Sequence, residues 1–103
     1  RRMGRELVRA VGWLHSVGVG HRDVKLENIL LSQSPSGPLD PHAPLVTLTD
    51  FGLARAIAPG ELLSTRCGSE AYAAPELVLP PAGGWYDARQ TDAWAVGCVL
   101  FAL

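Results

Sequence analysis

The 103-residue sequence predicts an α+β fold, mainly helical, with one small β-hairpin. Three observations carry this. Leu7, Val11 and Leu14 recur at helical spacing, with Val8 beside them. The stretch from Asp92 to Leu103 is apolar nearly all round, the pattern of a helix buried on every side. Two short runs, Ile29-Leu30-Leu31 and Leu45-Val46-Thr47-Leu48-Thr49, flank a turn-rich loop and read as paired strands. A chain of this length permits one domain at most.

In chain order, residues 5–17 form the first helix, which Gly18 and Gly20 end, since glycine relieves the left-handed C-terminus. Val24 to Leu31 is a loop leading into a short buried strand. Ser32 to Pro44 holds four prolines, three serines and a glycine, and reads as a mobile surface loop. The second strand follows, antiparallel to the first. Phe51 to Ala71 has no sustained period, and long irregular segments inside domains are usually functional. Leu77 to Leu79 ends a short helical turn before Pro80-Pro81, and Ala82 to Asp87 is a glycine-bearing loop. Thr91 is the expected N-cap of the last helix, with Asp92 in its first turn.

The formal charge of −1 and an isoelectric point of about 6.3 argue against the basic surface that nucleic acid requires. Arg5 and Arg9, one helical turn apart near Arg1 and Arg2, mark a solvated face. Cys67 and Cys98, without a secretory signal, suggest a reducing interior, hence cytoplasm or nucleus, and no disulfide framework. Two cysteines and three scattered histidines do not make a zinc site. The apolar run Ala93 to Leu103 is shorter than the ~20 residues that span a bilayer, so no membrane segment is expected. The absence of an initiator methionine and the uncapped apolar C-terminus read as an excerpt of a longer protein.

Four short signatures occur in fixed order: His21-Arg22-Asp23, Asn28, Asp50-Phe51-Gly52 and Ala74-Pro75-Glu76. Phosphoryl transfer needs an acceptor for the alcohol's proton and a divalent metal to offset charge on the phosphate oxygens. Mg²⁺ prefers hard oxygen ligands and takes few of them from protein. Asp23, Asn28 and Asp50 are such donors. Asn28 follows Asp23 by five residues, so one loop can present both, and the hairpin can return Asp50 beside Asn28. Singly, each tripeptide is a common turn or core pattern; all four in order, with a strand before Asp50, are specific.

With these residues the chain resembles the catalytic core of a eukaryotic protein kinase, from the helix before the catalytic loop to the central helix of the C-terminal lobe. The resemblance implies that residues 1–103 are a partial kinase domain: catalytic loop, metal loop, activation segment and central helix. It implies ATP and Mg²⁺ as cofactors. By it, Asp23 is the catalytic base, Lys25 contacts the γ-phosphate, Asn28 and Asp50 hold Mg²⁺, and Leu30 packs beneath the adenine ring. Gly52 gives the metal loop backbone freedom. His21 and Phe51 stack in an internal column, and Asp92 bonds the backbone of the catalytic loop.

Lys25, two residues after the base, resembles serine/threonine kinases, and Ser69 sits where these enzymes place a hydroxyl that bonds base and lysine. A protein substrate with a Ser or Thr acceptor is thereby implied. Thr65, two residues before Cys67-Gly68-Ser69, matches the activating phosphothreonine of calmodulin-dependent and AMP-activated kinases, which an upstream kinase would supply. Arg22 and Arg55 match the cationic pocket for that phosphate; left unpaired they would repel one another, and phosphate would pin the segment between them. Ser64 is the competing site. Glu27 matches an acid that contacts an arginine upstream of the phosphorylated residue, and is equally a surface glutamate.

The family's glycine-rich loop, anchoring lysine and helix glutamate are not in the chain, nor is the later arginine that pairs with Glu76. On this reading the parent is an active serine/threonine kinase and these 103 residues alone are inactive. A kinase-like scaffold, a truncated interaction fragment and a small-molecule kinase are the rival readings; Ala74–Glu76 argues against the last. Glu70 stands where many relatives have a small residue, which bears on the residue accepted beside the phosphorylation site.

Overall fold

The computed structural model describes residues 2–34 and 36–103; Arg1 and Pro35, both part of the sequence reading, lie outside the described residues. Helix α1 runs Arg2–Ser16 and buries Leu7, Val11 and Leu14, the stripe that its sequence spacing announces. It stops at Gly18, whose φ of 78° places it in the left-handed region and whose N–H bonds the carbonyl of His15 at 3.1 Å. Arg5 and Arg9 lie on the exposed face.

Strand β1 (Val19–Gly20) pairs antiparallel with β4 (Arg55–Ala56), a ladder that the local pattern does not reveal. Gly20 is there for space: a Cβ would lie 2.6 Å from Ile57 Cδ1 and 3.1 Å from Ala88 Cβ. Strands β2 (Ile29–Leu31) and β3 (Val46–Leu48) form the expected antiparallel hairpin, Ile29 opposite Leu48 and Leu31 opposite Val46. The first of them is not the buried strand expected. Leu30 and Leu31 are exposed: Leu30 lies on the face opposite Ile29, which packs on the core, and Leu31, on the Ile29 side, lies at the end of the strand.

The loop between these strands lies on the surface, as expected, and is tied down by hydrogen bonds. The Gln33 amide donates to the carbonyls of Asp40, Ala43 and Pro44 at 3.0–3.2 Å, and accepts from Asp40 N–H at 2.7 Å. Arg2 reaches across from α1 to the carbonyls of Asp40 and Ala43. Glu6 Oε1 accepts the N–H groups of Leu45 and Val46 at 2.7 and 3.1 Å. Helix α1 thus fastens the loop by its backbone.

A four-residue helix, α2 (Pro75–Val78), opens with proline at its first position, where no N–H is needed. Helix α3 spans Ala88–Ala102. Its N-cap is Asp87, whose carboxylate accepts the N–H of Arg89 at 2.9 Å; Thr91 lies one turn inside and bonds the carbonyl of Ala88. The expectation of a helix starting at Thr91 is therefore corrected by one turn. Asp and Thr are both good caps, and the local sequence offers both.

One core joins α1 to α3 through Leu7, Val11, Val24, Ala95, Val96 and Val99, with Ile29, Leu48 and Tyr72 against it. A second gathers Ile57, Leu63, Tyr86 and Ala88, held by reciprocal backbone bonds between Leu63 and Tyr86 at 2.8 Å. The expectation of an α3 buried on all sides holds for one face only: Trp94 is half exposed and Phe101 is 96% exposed.

Candidate active site

The segment between β1 and β2 turns at Arg22, whose φ of 68° is rare for a side chain of that size. Asp92, on the first turns of α3, compensates. Its Oδ2 accepts the N–H of His21 at 2.9 Å, and its Oδ1 accepts the N–H of Arg22 at 2.8 Å. His15, at the end of α1, places Nε2 2.9 Å from the same Oδ2. Asp92 is 1% exposed, and a carboxylate that deep needs these three partners.

His21 is fully buried. Its Nε2 faces the carbonyl of Thr49 at 3.0 Å, and its Nδ1 accepts the N–H of Asp23 at 3.1 Å. These bonds place the ring proton on Nε2. The ring meets Phe51 edge-on, centroids 4.9 Å apart and planes at 67°. His21 is thus consumed by structure, as the packed reading expects.

Asp23 lies at the centre of a polar cluster. Lys25 Nζ is 3.9 Å from Asp23 Oδ2 and donates to Ser69 Oγ at 2.8 Å. The Ser69 hydroxyl in turn lies 3.4 Å from Asp23 Oδ1. Asn28 donates from Nδ2 to the Asp23 carbonyl at 2.7 Å and to its carboxylate at 3.3 Å. Ser69 gets this close because Gly68 has a φ of 98° and no side chain: a Cβ would sit 2.8 Å from the Arg22 carbonyl.

The hairpin delivers Asp50. Thr49 continues the β2–β3 ladder by donating its N–H and its hydroxyl to the Asn28 carbonyl at 2.8 and 3.1 Å, and Asp50 is the next residue along the chain. Asp50 is exposed, with Oδ1 accepting the N–H of Gly52 at 3.2 Å. The left-handed residue of this loop is Asp50, at φ 59°, and not Gly52, as the freedom assigned to that glycine would suggest.

None of the remaining candidates bonds a side chain of the cluster among the described residues. Leu30 is 53% exposed on β2. Glu27 is exposed on the 3₁₀ turn Leu26–Asn28, with no ion pair among the described residues. Thr65 is exposed. Arg22 donates to the Leu53 carbonyl at 2.8 Å and to the Tyr86 hydroxyl at 3.3 Å, while the Tyr86 hydroxyl donates to the Thr65 carbonyl. Arg55 pairs with Glu61 at 3.2 Å. The two arginines are therefore not left unpaired, the condition under which they would repel one another; each has an acceptor at hand.

His15 and Tyr86 were not singled out from sequence. His15 sits on the buried side of α1 only by virtue of where Asp92 lies, and Tyr86 reads as loop between two glycines and a helix cap. Arg66 likewise crosses from the irregular segment to the carbonyls of Gly84 and Glu76.

The chain matches the protein kinase domain over residues 1–103 and belongs to that family. A SNF-related serine/threonine-protein kinase of Rattus norvegicus is 41% identical over 98 residues, 95% of this chain and 12% of that protein. Serine/threonine-protein kinase PRR1 of Saccharomyces cerevisiae is 39% identical over 110 residues, covering all of this chain and 21% of its own length. Serine/threonine-protein kinase KIN4 of the same yeast is 42% identical over 103 residues, 99% of this chain and 12% of its own. The chain thus spans between 12% and 21% of the length of these relatives. No helix among the described residues is long and apolar enough to cross a membrane.

Proposed function

We propose that the protein carrying this chain transfers the γ-phosphate of ATP to serine or threonine hydroxyls of protein substrates. On this reading residues 1–103 form the catalytic loop, metal loop, activation segment and central helix of a C-terminal kinase lobe. The observation that carries the proposal is the Asp23–Lys25–Ser69 cluster: a carboxylate, an ammonium and a hydroxyl joined at 2.8, 3.4 and 3.9 Å. Asp23 accepts the substrate hydroxyl's proton on its carboxylate. Lys25 Nζ, steadied by Ser69 Oγ, presents positive charge to the transferred phosphate. The relatives' serine/threonine designation supports the acceptor class.

The donor set fits Mg²⁺. Asn28 spends its Nδ2 on Asp23, which leaves Oδ1 without a donor among the described residues; Asp50 keeps Oδ2 free in the same way. Among the described residues no three or more His, Cys, Asp or Glu gather as a metal cage. That suits an ion that takes one or two protein oxygens and completes its shell with phosphates and water. Bound there, Mg²⁺ neutralises charge on the phosphate oxygens. Leu30, exposed on β2, offers an apolar floor for the adenine ring.

Thr65 is the site of an activating phosphate on this reading. Its carbonyl already shares the Tyr86 hydroxyl with Arg22, so a cation lies one hydroxyl away. Glu27 remains the candidate contact for a basic substrate residue. The test is an assay of the full-length protein with Mg²⁺-ATP and a serine/threonine peptide array. Asp23→Asn should lower kcat by about 10²–10⁴-fold, the usual worth of a positioned base. A wild-type protein that transfers no phosphate, or a variant as active as wild type, refutes the proposal.

A further inference from the structure

Helix α1 and the loop between β2 and β3 enclose a cavity of about 420 Å³ that no part of the proposed reaction uses. Its walls are Arg5 and Arg9 on the helix and Pro41, His42 and Ala43 on the loop. Arg2 and Glu6 lie at its base, and both are spent on structure. Glu6 gives Oε1 to the N–H groups of Leu45 and Val46 and Oε2 to Arg2 at 2.9 Å. Arg2 Nη2 donates to the carbonyls of Asp40 and Ala43. The one acid on this stretch of helix is therefore engaged through both oxygens, and Arg2 is engaged through Nε and Nη2.

Arg5 and Arg9 are different. Both are exposed, one helical turn apart, and neither guanidinium has a hydrogen bond or ion pair among the described residues. His42 is exposed across the cavity; its N–H goes to the Asp40 carboxylate at 2.8 Å, and its ring has no partner among the described residues. Two guanidiniums without a partner among the described residues thus line a groove whose other wall is a loop fixed by its backbone, so the groove is held open before any ligand arrives. Guanidinium forks bind carboxylates bidentately, and two at one-turn spacing match two acidic side chains of one peptide.

We propose that this groove is a docking site for an acidic segment of a protein substrate, bound apart from the phosphorylated residue. The occupant follows from charge and shape. The chain carries a net charge of −1, so the local excess of arginine is a property of this patch and not of the whole surface. A walled groove of this size admits a few side chains, whereas a duplex or a lipid surface requires a broad basic face. That the acidic segment belongs to a substrate rests on the kinase reading above; that an acidic peptide binds here does not.

The experiment has two arms on the full-length protein. In the first, a fluorescently labelled Glu-rich peptide is titrated by anisotropy, without ATP, against wild type and the charge reversal R5E/R9E. Wild type should bind, more weakly at higher salt, and the reversal should bind about tenfold or more weaker. In the second, one phosphoacceptor peptide is assayed with a Glu-rich tail and with a Gln-substituted tail. The acidic tail should lower KM about three- to tenfold at unchanged kcat, and R5E/R9E should remove that difference while leaving the Gln-tailed peptide unaffected. R5K/R9K, which keeps the charge and loses the forks, should give an intermediate effect. Equal binding by wild type and R5E/R9E overturns the docking site even if the enzyme is active. Binding without an effect on KM overturns the substrate role alone. Tighter binding of RNA or of anionic phosphatidylserine vesicles than of the peptide, lost in R5E/R9E, overturns the assigned occupant.

Discussion

Asp92 Oδ1 accepts the backbone N–H of Arg22 at 2.8 Å across 70 residues of sequence. The bond holds Arg22 at a φ of 68°, a conformation that costs about 1–3 kcal/mol when unsupported. The same carboxylate takes the N–H of His21 and faces His15 Nε2, so one buried side chain fixes the entry to the loop that carries Asp23. Replacing Asp92 by Ala strands three donors. We expect the full-length protein to lose about 2–4 kcal/mol in urea unfolding, and Asp92→Asn, which retains one acceptor, to lose less. Equal stability of wild type and Asp92→Ala would show that the donors find other partners.

Ser69 Oγ stands between Lys25 Nζ at 2.8 Å and Asp23 Oδ1 at 3.4 Å. Ser69→Ala removes the bridge and leaves Lys25 Nζ to Asp23 alone. The expected result is a kcat lower by about tenfold with peptide KM little changed, and recovery in Ser69→Thr. If Thr rescues nothing, or Ala costs nothing, the hydroxyl does not position the lysine.

Phosphate on Thr65 would bring about −1.5 to −2 charges beside the Tyr86 hydroxyl that Arg22 already contacts. Arg55 would have to leave Glu61 to join it. Full-length protein phosphorylated at Thr65 should be about tenfold more active than Thr65→Ala, and Glu61→Gln should ease the exchange by releasing Arg55. Phosphopeptide mass spectrometry paired with activity decides this. Activation that persists in Thr65→Ala and vanishes in Ser64→Ala would move the site by one residue.

Glu6 has its pKa held below the ordinary 4.5, first by the Val46 N–H, then by the Leu45 N–H and Arg2, against an opposing effect of burial. A carboxylate with a lowered folded pKa adds stability that is fully present above its unfolded value. That stability fades as pH falls below about 4.5 toward the folded value. The stability gap between wild type and Glu6→Gln should therefore be largest near neutral pH and shrink in acid. A gap that stays constant from pH 7 to pH 3 would mean that Glu6 acts only as a hydrogen-bond acceptor that glutamine replaces.

Local chemistry was legible in the chain. Asp23 and Asn28 fall within five residues, so a single loop brings them together whatever the rest does. Leu7, Val11 and Leu14 declare their helix face because helical periodicity is a property of the backbone alone. The hairpin, too, could be read, and its register sets Thr49 opposite Asn28, with Asp50 the next residue. The cap of α3 could not, because Asp87 and Thr91 are both suitable and only the packing of Ala88 against Ile57 and Gly20 extends the helix to Asp87.

The amino-acid order thus settled the family and nominated the acid, the lysine and the metal-type donors, all of which live in short strings whose residue types limit their chemistry. Folding settled the partners. Asp92 meets His21 and His15, Ser69 meets Lys25, Tyr86 meets Arg22, and Glu6 meets the start of β3, in each case through a backbone or side-chain polar group far away in sequence. Such pairings arise because buried polar groups must be satisfied wherever packing leaves them, a demand that depends on the whole tertiary arrangement and leaves no periodic trace in the chain.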